Sequence, residues 1–275
     1  MVDTVTLPAG TIAYTEQGAG RPVVFIHGLL VNANLWREVI PLVADAGFRC
    51  LAPTLPLGAH RKPMPEADLT PPGLAKLIAD FLAALDLDDV TVVANDTGGA
   101  LTQILMVNHP ERIGRVVLTP CDAFEEFFPK PFDALTRLIR KPGAAWLLSR
   151  ALQFPAVQRQ PNSFGWLAKR GIPDEIMASY VRPCRDSGAI RRDLKRFLVG
   201  VDNRHTLAAA DRLRGFTKPV LLVRAAEDKV FKASLFDRLA AILPDARLVE
   251  VADSWTFVSE DQPDRLARLV VEFAR

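Results

Sequence analysis

Short apolar runs alternate with longer amphipathic stretches along most of this chain. The runs are Pro22-Val-Val-Phe-Ile-His27, Phe48-Arg-Cys-Leu-Ala52, Val90-Thr-Val-Val-Ala94, Arg115-Val-Val-Leu-Thr119, Pro219-Val-Leu-Leu-Val223 and Arg247-Leu-Val-Glu-Val251. A run of apolar residues without strict alternation predicts a strand covered on both faces. Between the runs, Leu35 to Ala46, Leu74 to Leu85, Ala100 to Asn108, Leu235 to Ile242 and Leu266 to Phe273 place apolar residues at helical spacing. Residues 3–16 alternate around Leu7-Pro-Ala-Gly10 and predict a hairpin. Strand and helix in turn predict an α/β fold, with a mostly parallel sheet of about eight strands and helices on both faces.

One segment breaks the alternation. Residues 123–215 hold no clear strand, and prolines at 129, 131, 142, 155, 161, 173 and 183 divide them into short helices such as Leu135 to Ile139 and Ala144 to Leu152. A helical insertion between two strands of a parallel sheet predicts a lid over the carboxyl ends of the strands, where ligands bind. The expected organisation is a core formed by 1–122 and 216–275, with 123–215 as the lid. The lid carries 17 Lys+Arg against 9 Asp+Glu, although the whole chain has a net charge of only +2. That excess reads as solvated arginine on helix faces, or as steering of an anionic or polar substrate.

Composition narrows the class further. With 275 residues, 49% hydrophobic and 24% charged, the chain can bury a full core and is neither disordered nor a disulfide scaffold. Cys50, Cys121 and Cys184 lie far apart, without ligand spacing, which favours a reducing compartment and excludes a zinc ribbon. No secretory signal and no membrane-length apolar run is found, so a cytoplasmic location is expected. The expected partner is a small-molecule substrate, with a homodimer left open and neither nucleic acid nor membrane involved. No metal or organic cofactor is implied.

Three places carry candidate chemistry. In Ala94-Asn-Asp96-Thr-Gly98, small residues bracket an aspartate between a buried strand and a helix. A tight turn of that kind lifts its central side chain off the sheet, beside a helix N-terminus that favours an anion. The plainer reading is that Asp96 only caps the helix. After the first buried strand, His27-Gly28-Leu29 forms a turn whose Leu29 N–H, with that of Thr97, would make a two-donor oxyanion hole. Glu227 and Asp228 follow a late strand at the same sheet edge. Asp228 there either orients a base or caps the next helix.

Taken in order, His27-Gly28, Leu55-Pro-Leu-Gly58, Asp96, the lid, Asp228 and Asp253…Asp261-Gln-Pro263 resemble the α/β-hydrolase superfamily over nearly the whole chain. An aspartate at the turn resembles its haloalkane-dehalogenase and epoxide-hydrolase branch. That resemblance implies Asp96 as nucleophile, Asp228 as acid, and a histidine in a late Asp-x-Gly-His-Phe turn. Here the turn reads Asp253-Ser-Trp255-Thr256-Phe257, so Thr256 fills the histidine slot and Trp255 the glycine slot. Leu29 and Thr97 stand where that branch carries halide-binding Asn and Trp, and Tyr180 is the single tyrosine of the lid. Of the four histidines, His109 reads as structural, His205 as surface, and His60 as a candidate proton carrier near the cleft.

His27, Asp122, Trp146, Trp255 and Thr256 are the expected substrate-pocket residues. Trp255, Phe257, Phe124, Phe127, Phe128 and Trp146 suggest an apolar or aromatic substrate. Three readings stay open: a hydrolase of unusual machinery, a non-hydrolytic lyase, isomerase or cyclase using Asp96 as acid/base, and an inactive binding protein.

Overall fold

Eight strands form one twisted sheet in the computed structural model, which describes residues 2–275. They are β1 (Val2–Leu7), β2 (Gly10–Gln17), β3 (Arg21–Ile26), β4 (Phe48–Pro53), β5 (Val90–Asp96), β6 (Ile113–Cys121), β7 (Val220–Ala225) and β8 (Ala246–Val251). The spatial order is β1-β2-β4-β3-β5-β6-β7-β8. Only the β1–β2 and β2–β4 pairings are antiparallel; every other neighbour pair is parallel. The apolar runs became strands, most of them central with helices over both faces, as with the fully buried Val23 to Ile26 and Val90 to Ala94; the last run, Arg247 to Val251, became the edge strand β8 and is largely only half-buried.

Two helix layers do the covering. Pro71–Ala84, Thr97–Asn108 and Asn203–Leu213 pack in series on one side, and Ile40–Asp45 packs with Pro263–Ala274. The helix Pro71–Ala84 begins at Thr70, whose Oγ1 accepts from the Gly73 N–H, and buries Leu74, Leu77, Ile78 and Phe81 at helical spacing. The expected helix from Leu35 to Ala46 is divided into a 3-10 turn, Ala33–Trp36, and a short helix, Ile40–Asp45. Pro41 explains the division, because it offers no N–H to the Arg37 carbonyl four residues earlier.

Between β6 and β7 the chain forms helices Leu135–Leu138, Ala144–Ala151, Pro155–Gln158, Asp174–Asp186, Gly188–Gly200 and Asn203–Leu213. The prolines do not cut this segment as evenly as expected. Pro155 opens a helix and Pro173 caps one, but Pro183 rides inside Asp174–Asp186. A proline there leaves the Ser179 carbonyl without its helical donor. The Asn32 side chain supplies one, donating to Ser179 O at 3.1 Å. The last helix, Asn203–Leu213, lies on Thr97–Asn108 and Ala233–Ile242, away from the sheet's carboxyl edge.

Close packing between β3 and the helix after β5 demands glycine. A Cβ on Gly98 would stand 2.5 Å from the His27 carbonyl oxygen and 2.7 Å from that of Ile26. Both obstacles are backbone, at the end of the central strand β3 and just past it, so neither can yield cheaply. Gly98→Ala is expected to lower unfolding free energy by about 2–3 kcal/mol, the upper range for overpacking, measured by urea denaturation.

Candidate active site

Asp96 ends β5 and begins the helix Thr97–Asn108 with φ 54° and ψ −133°. A positive φ is costly for any residue with a Cβ, and such strain persists only where surrounding contacts impose it. Gly98 and Gly99 let the helix start at once, since a Cβ on Gly99 would stand 2.3 Å from Cys121 Cβ. The helix therefore starts three residues before the expected Ala100.

The Asp96 side chain does not cap the helix in the usual way, through the N–H groups of its second or third residue. Its carboxylate turns toward β3. Oδ2 accepts from the Leu29 N–H at 3.0 Å, and the Thr97 N–H also bonds the carboxylate. Gly28 makes room for this, because a Cβ there would meet Asp96 Oδ2 at 2.0 Å. Leu29 and Thr97 thus converge on one anion, and that anion is the protein's own side chain. Burial pushes the Asp96 carboxyl up to about 6, against the two N–H bonds that pull it down.

A cavity of about 220 Å³ opens over Asp96. Leu29, Leu30 and Thr97 form its floor, Phe128, Leu135, Leu138, Leu148, Leu152, Phe164 and Leu167 its roof, and Val230 and Phe231 one side. The roof comes entirely from the segment between β6 and β7. Two polar residues, Asn162 and Ser163, interrupt the apolar lining, and Ser163 Oγ is buried without a hydrogen-bond partner. Both escaped the sequence reading, because an Asn-Ser pair beside Pro161 looks like any turn.

Asp228 lies beyond the Val230–Phe231 wall, in an adjoining polar depression. Its Oδ1 accepts from Val230 N (2.8 Å), Phe231 N (3.1 Å) and Thr256 Oγ1 (2.9 Å). Its Oδ2 is buried and unpartnered. Burial, opposed by these bonds and reinforced by the charge of Asp96, pushes Asp228 up to about 6. Asn95 closes the arrangement by donating to Pro120 O and Thr256 O, both at 2.9 Å, which joins the ends of β5 and β6 to the late turn.

None of the five expected pocket residues lines the cavity. His27 is fully buried and neutral: Nε2 accepts from Leu55 N (2.8 Å) and Nδ1 lies 2.8 Å from Gly28 O, while burial lowers its pKa to about 4. It braces the turn instead. Asp122 is sealed behind Thr97, with both carboxylate oxygens unpartnered, and burial beside Asp96 pushes its carboxyl well above the usual range. Trp146 points outward from its helix and is 52% exposed. Trp255 is covered by Lys229, whose Nζ lies 3.5 Å from the ring centroid. Thr256 is fully buried behind Asp228. Of the six aromatic residues taken to mark the substrate, Phe128 alone faces the cavity.

No histidine bonds either Asp96 or Asp228 among the described residues. His60, a candidate proton carrier in the sequence, is buried against Asp193, with Nε2 3.2 Å from Oδ2, at the contact with helix Gly188–Gly200. The late turn is held in place from the roof segment. Asp261 accepts from the N–H groups of Lys169, Arg170 and Trp255, and Phe257 N donates to Leu167 O at 2.7 Å.

Comparison with known proteins agrees with this fold. The family model for the alpha/beta hydrolase fold matches residues 21–263. Haloalkane dehalogenase 2 of Mycobacterium tuberculosis is 29% identical, covering 96% of this chain and 91% of its own. A cis-3-alkyl-4-alkyloxetan-2-one decarboxylase of Shewanella oneidensis is 27% identical, covering 94% and 84%. Among solved structures, haloalkane dehalogenase DbeA of Bradyrhizobium elkani superposes with a TM-score of 0.80 at 21% identity, over 100% of this chain and 97% of that one. Epoxide hydrolase CorEH gives 0.79 at 20% identity, over 99% and 98%. The sheet order, the sharp turn after β5 and the extent of the family match lead to one conclusion: this chain belongs to the α/β-hydrolase fold family.

Proposed function

We propose that the protein is an enzyme that attacks a carbon electrophile of a small apolar molecule through the Asp96 carboxylate. The observation that carries this reading is the bond from Leu29 N–H to Asp96 Oδ2 at 3.0 Å. A general base assisted by an oxyanion hole would need the two N–H donors free for the substrate. Here they are already committed to Asp96, which leaves its other oxygen for the cavity. Attack by that oxygen on carbon forms an alkyl-aspartyl ester, and the leaving group departs with the electron pair of its broken bond. Ser163 Oγ and Asn162 are the donors available to it. The ester carbonyl oxygen then lies in the Leu29–Thr97 oxyanion hole, poised for charge to develop on it. Residues 123–215 act as the lid that keeps water out.

Release of the ester is where this protein departs from its relatives' pattern. Hydrolysis needs a base to take a proton from water, and Thr256, in the histidine slot, gives its hydroxyl to Asp228 instead. That substitution favours a second reading, in which release requires no water. If the electrophile is a four-membered lactone, like the compound in the name of the Shewanella relative, attack at the alkyl ring carbon breaks the ring C–O bond. It leaves a carboxylate on the neighbouring carbon. Loss of carbon dioxide then passes the C–C electron pair into a C=C bond and expels the aspartate intact.

Intact-mass measurement separates these outcomes. A medium-chain epoxide should add its whole mass to the wild type, or a bromoalkane its alkyl group less the departing bromide, and the adduct should remain, whereas Asp96→Asn should abolish it. Thr256→His with Trp255→Gly should shorten its lifetime, since a base of this kind contributes about 10²–10⁴-fold. A cis-3,4-dialkyl oxetanone should give alkene and carbon dioxide without a lasting adduct. Brisk hydrolysis of simple aryl esters dependent on Asp96 would defeat both readings.

Ionisation supplies an independent check. Labelling should rise with pH through about 6, where Asp96 loses its proton. Its folded pKa lies above the unfolded value of about 4, so the folded state binds more protons between the two. Stability from this group is therefore present at low pH and lost as pH rises toward 6 and beyond. Asp96→Asn should raise stability by about 3 kcal/mol at pH 7.5 and by only about 1 kcal/mol at pH 4.5, read from thermal melts at both.

A further inference from the structure

Of the eight large apolar side chains described as exposed, four lie close together in the roof segment: Leu138 (51%), Trp146 (52%), Leu147 (63%) and Phe154 (63%). The helix Ala144–Ala151 explains the grouping. Leu148 and, just past its end, Leu152 turn inward and line the cavity, while Trp146, Leu147 and Arg150 share the outer side of the helix and the exposed Phe154 follows beyond its end. Most helices of a globular protein have one apolar face; this short one has two. Leu138 belongs to both surfaces, since it lines the cavity and is half exposed.

The charge along this stretch of chain is positive, with Asp174 and Asp186 of the neighbouring helix at its margin, Asp186 close enough to Arg150 for that arginine to help Arg185 lower its pKa. Residues 134–173 contain seven Lys+Arg and no Asp or Glu. Arg137, Arg140, Lys141, Arg150 and Arg159 are all exposed, and none forms an ion pair among the described residues. Arg140 donates to Val199 O, which brings the half-exposed Val199 alongside, and Arg150 lies 5.7 Å from the Trp146 ring.

We propose that this outer face of the roof docks on an anionic lipid bilayer, with Trp146, Leu147 and Phe154 in the headgroup region and the five cations on the lipid phosphates. A tryptophan, aliphatic and phenylalanine face rimmed by cations is the physical signature of a helix lying in a bilayer interface. A protein partner of opposite charge would satisfy the arginines and leave unexplained why the apolar patch runs on to the cavity mouth through Leu138. A bilayer accounts for both, because an apolar molecule dissolved in it would meet the cavity without crossing water. No helix among the described residues is long and apolar enough to cross a membrane, so the contact is peripheral. It departs from the expectation of no membrane partner, which rested on spanning segments alone. Docking stands or falls independently of what Asp96 does.

Co-sedimentation with extruded vesicles tests it. Wild-type protein should bind vesicles of equal phosphatidylglycerol and phosphatidylcholine, and not phosphatidylcholine alone. Binding should weaken as salt is raised. Replacing Arg137, Arg140 and Lys141 with Gln should reduce affinity roughly five-fold per charge, about a hundred-fold together. Leu147→Gln with Phe154→Gln should also release the protein, and Trp146→Phe should remove most of the fluorescence blue shift on binding. All these side chains are exposed, so thermal melts should match the wild type. Should a combined variant fail to fold, the salt dependence and lipid selectivity of the wild type still decide. No binding to the anionic vesicles, or equal binding to both kinds, overturns the proposal. So does a concentration-dependent dimer that Leu147→Gln dissolves, which would assign the patch to a second copy of this chain.

Discussion

A carboxylate held by two backbone N–H groups at the end of a buried strand is the constraint around which this protein is built. Asp96 can hold its left-handed conformation only because three glycines clear the space around it. Gly28 admits its oxygen, Gly98 lets the helix pass under β3, and Gly99 accommodates Cys121. Remove any one and either the strand spacing or the helix start must change. The bond from Leu29 to Asp96 also ties β3 to β5 above the last rung of their ladder. One interaction therefore sets the turn, the position of the helix and the floor of the cavity.

Three carboxyl groups crowd this edge of the sheet without a cation among their partners. Asp96 takes two N–H bonds, Asp228 takes three bonds on one oxygen and none on the other, and Asp122 takes none. Like charges in a low-dielectric site raise one another's pKa, and burial adds to the effect. The consequence is an ordering. Asp122 holds its proton most firmly, and Asp96 and Asp228 exchange theirs near the same pH. An imidazolium would have relieved the strain. With Thr256 in its place, the crowding is eased by the proton that Asp122 retains.

The sheet was legible in the sequence because its signal is local. An unbroken run such as Val90 to Ala94 can lie only where both faces are covered, and the connecting helices supply that cover. Asp96 was legible for a related reason: small residues at fixed offsets around a polar one leave few conformations available. The pocket was not legible. Its walls come from Leu135, Leu148, Phe164 and Phe231, which are far apart in sequence and no different in type from core residues. Trp146 and Trp255 attracted attention by size, yet one faces solvent and the other lies under a lysine. His27 likewise looked chemical, and its ring is consumed by two backbone groups. Proline counting failed at Pro183 because the rescue of Ser179 O comes from a residue nearly 150 positions away.

That rescue has a mechanical meaning. Asn32 follows Leu29 by three residues, so the amide that completes the helix Asp174–Asp186 grows out of the same loop that grips Asp96. Asn34 holds the same point, donating to Ser179 Oγ at 2.9 Å. The loop works as a strut with its two ends on different parts of the molecule. Tilting the helix loads one end, and the load arrives at the Leu29 N–H. The position of the helix Asp174–Asp186 and the Leu29–Asp96 bond are thus joined through one short loop, and neither is set independently of the other.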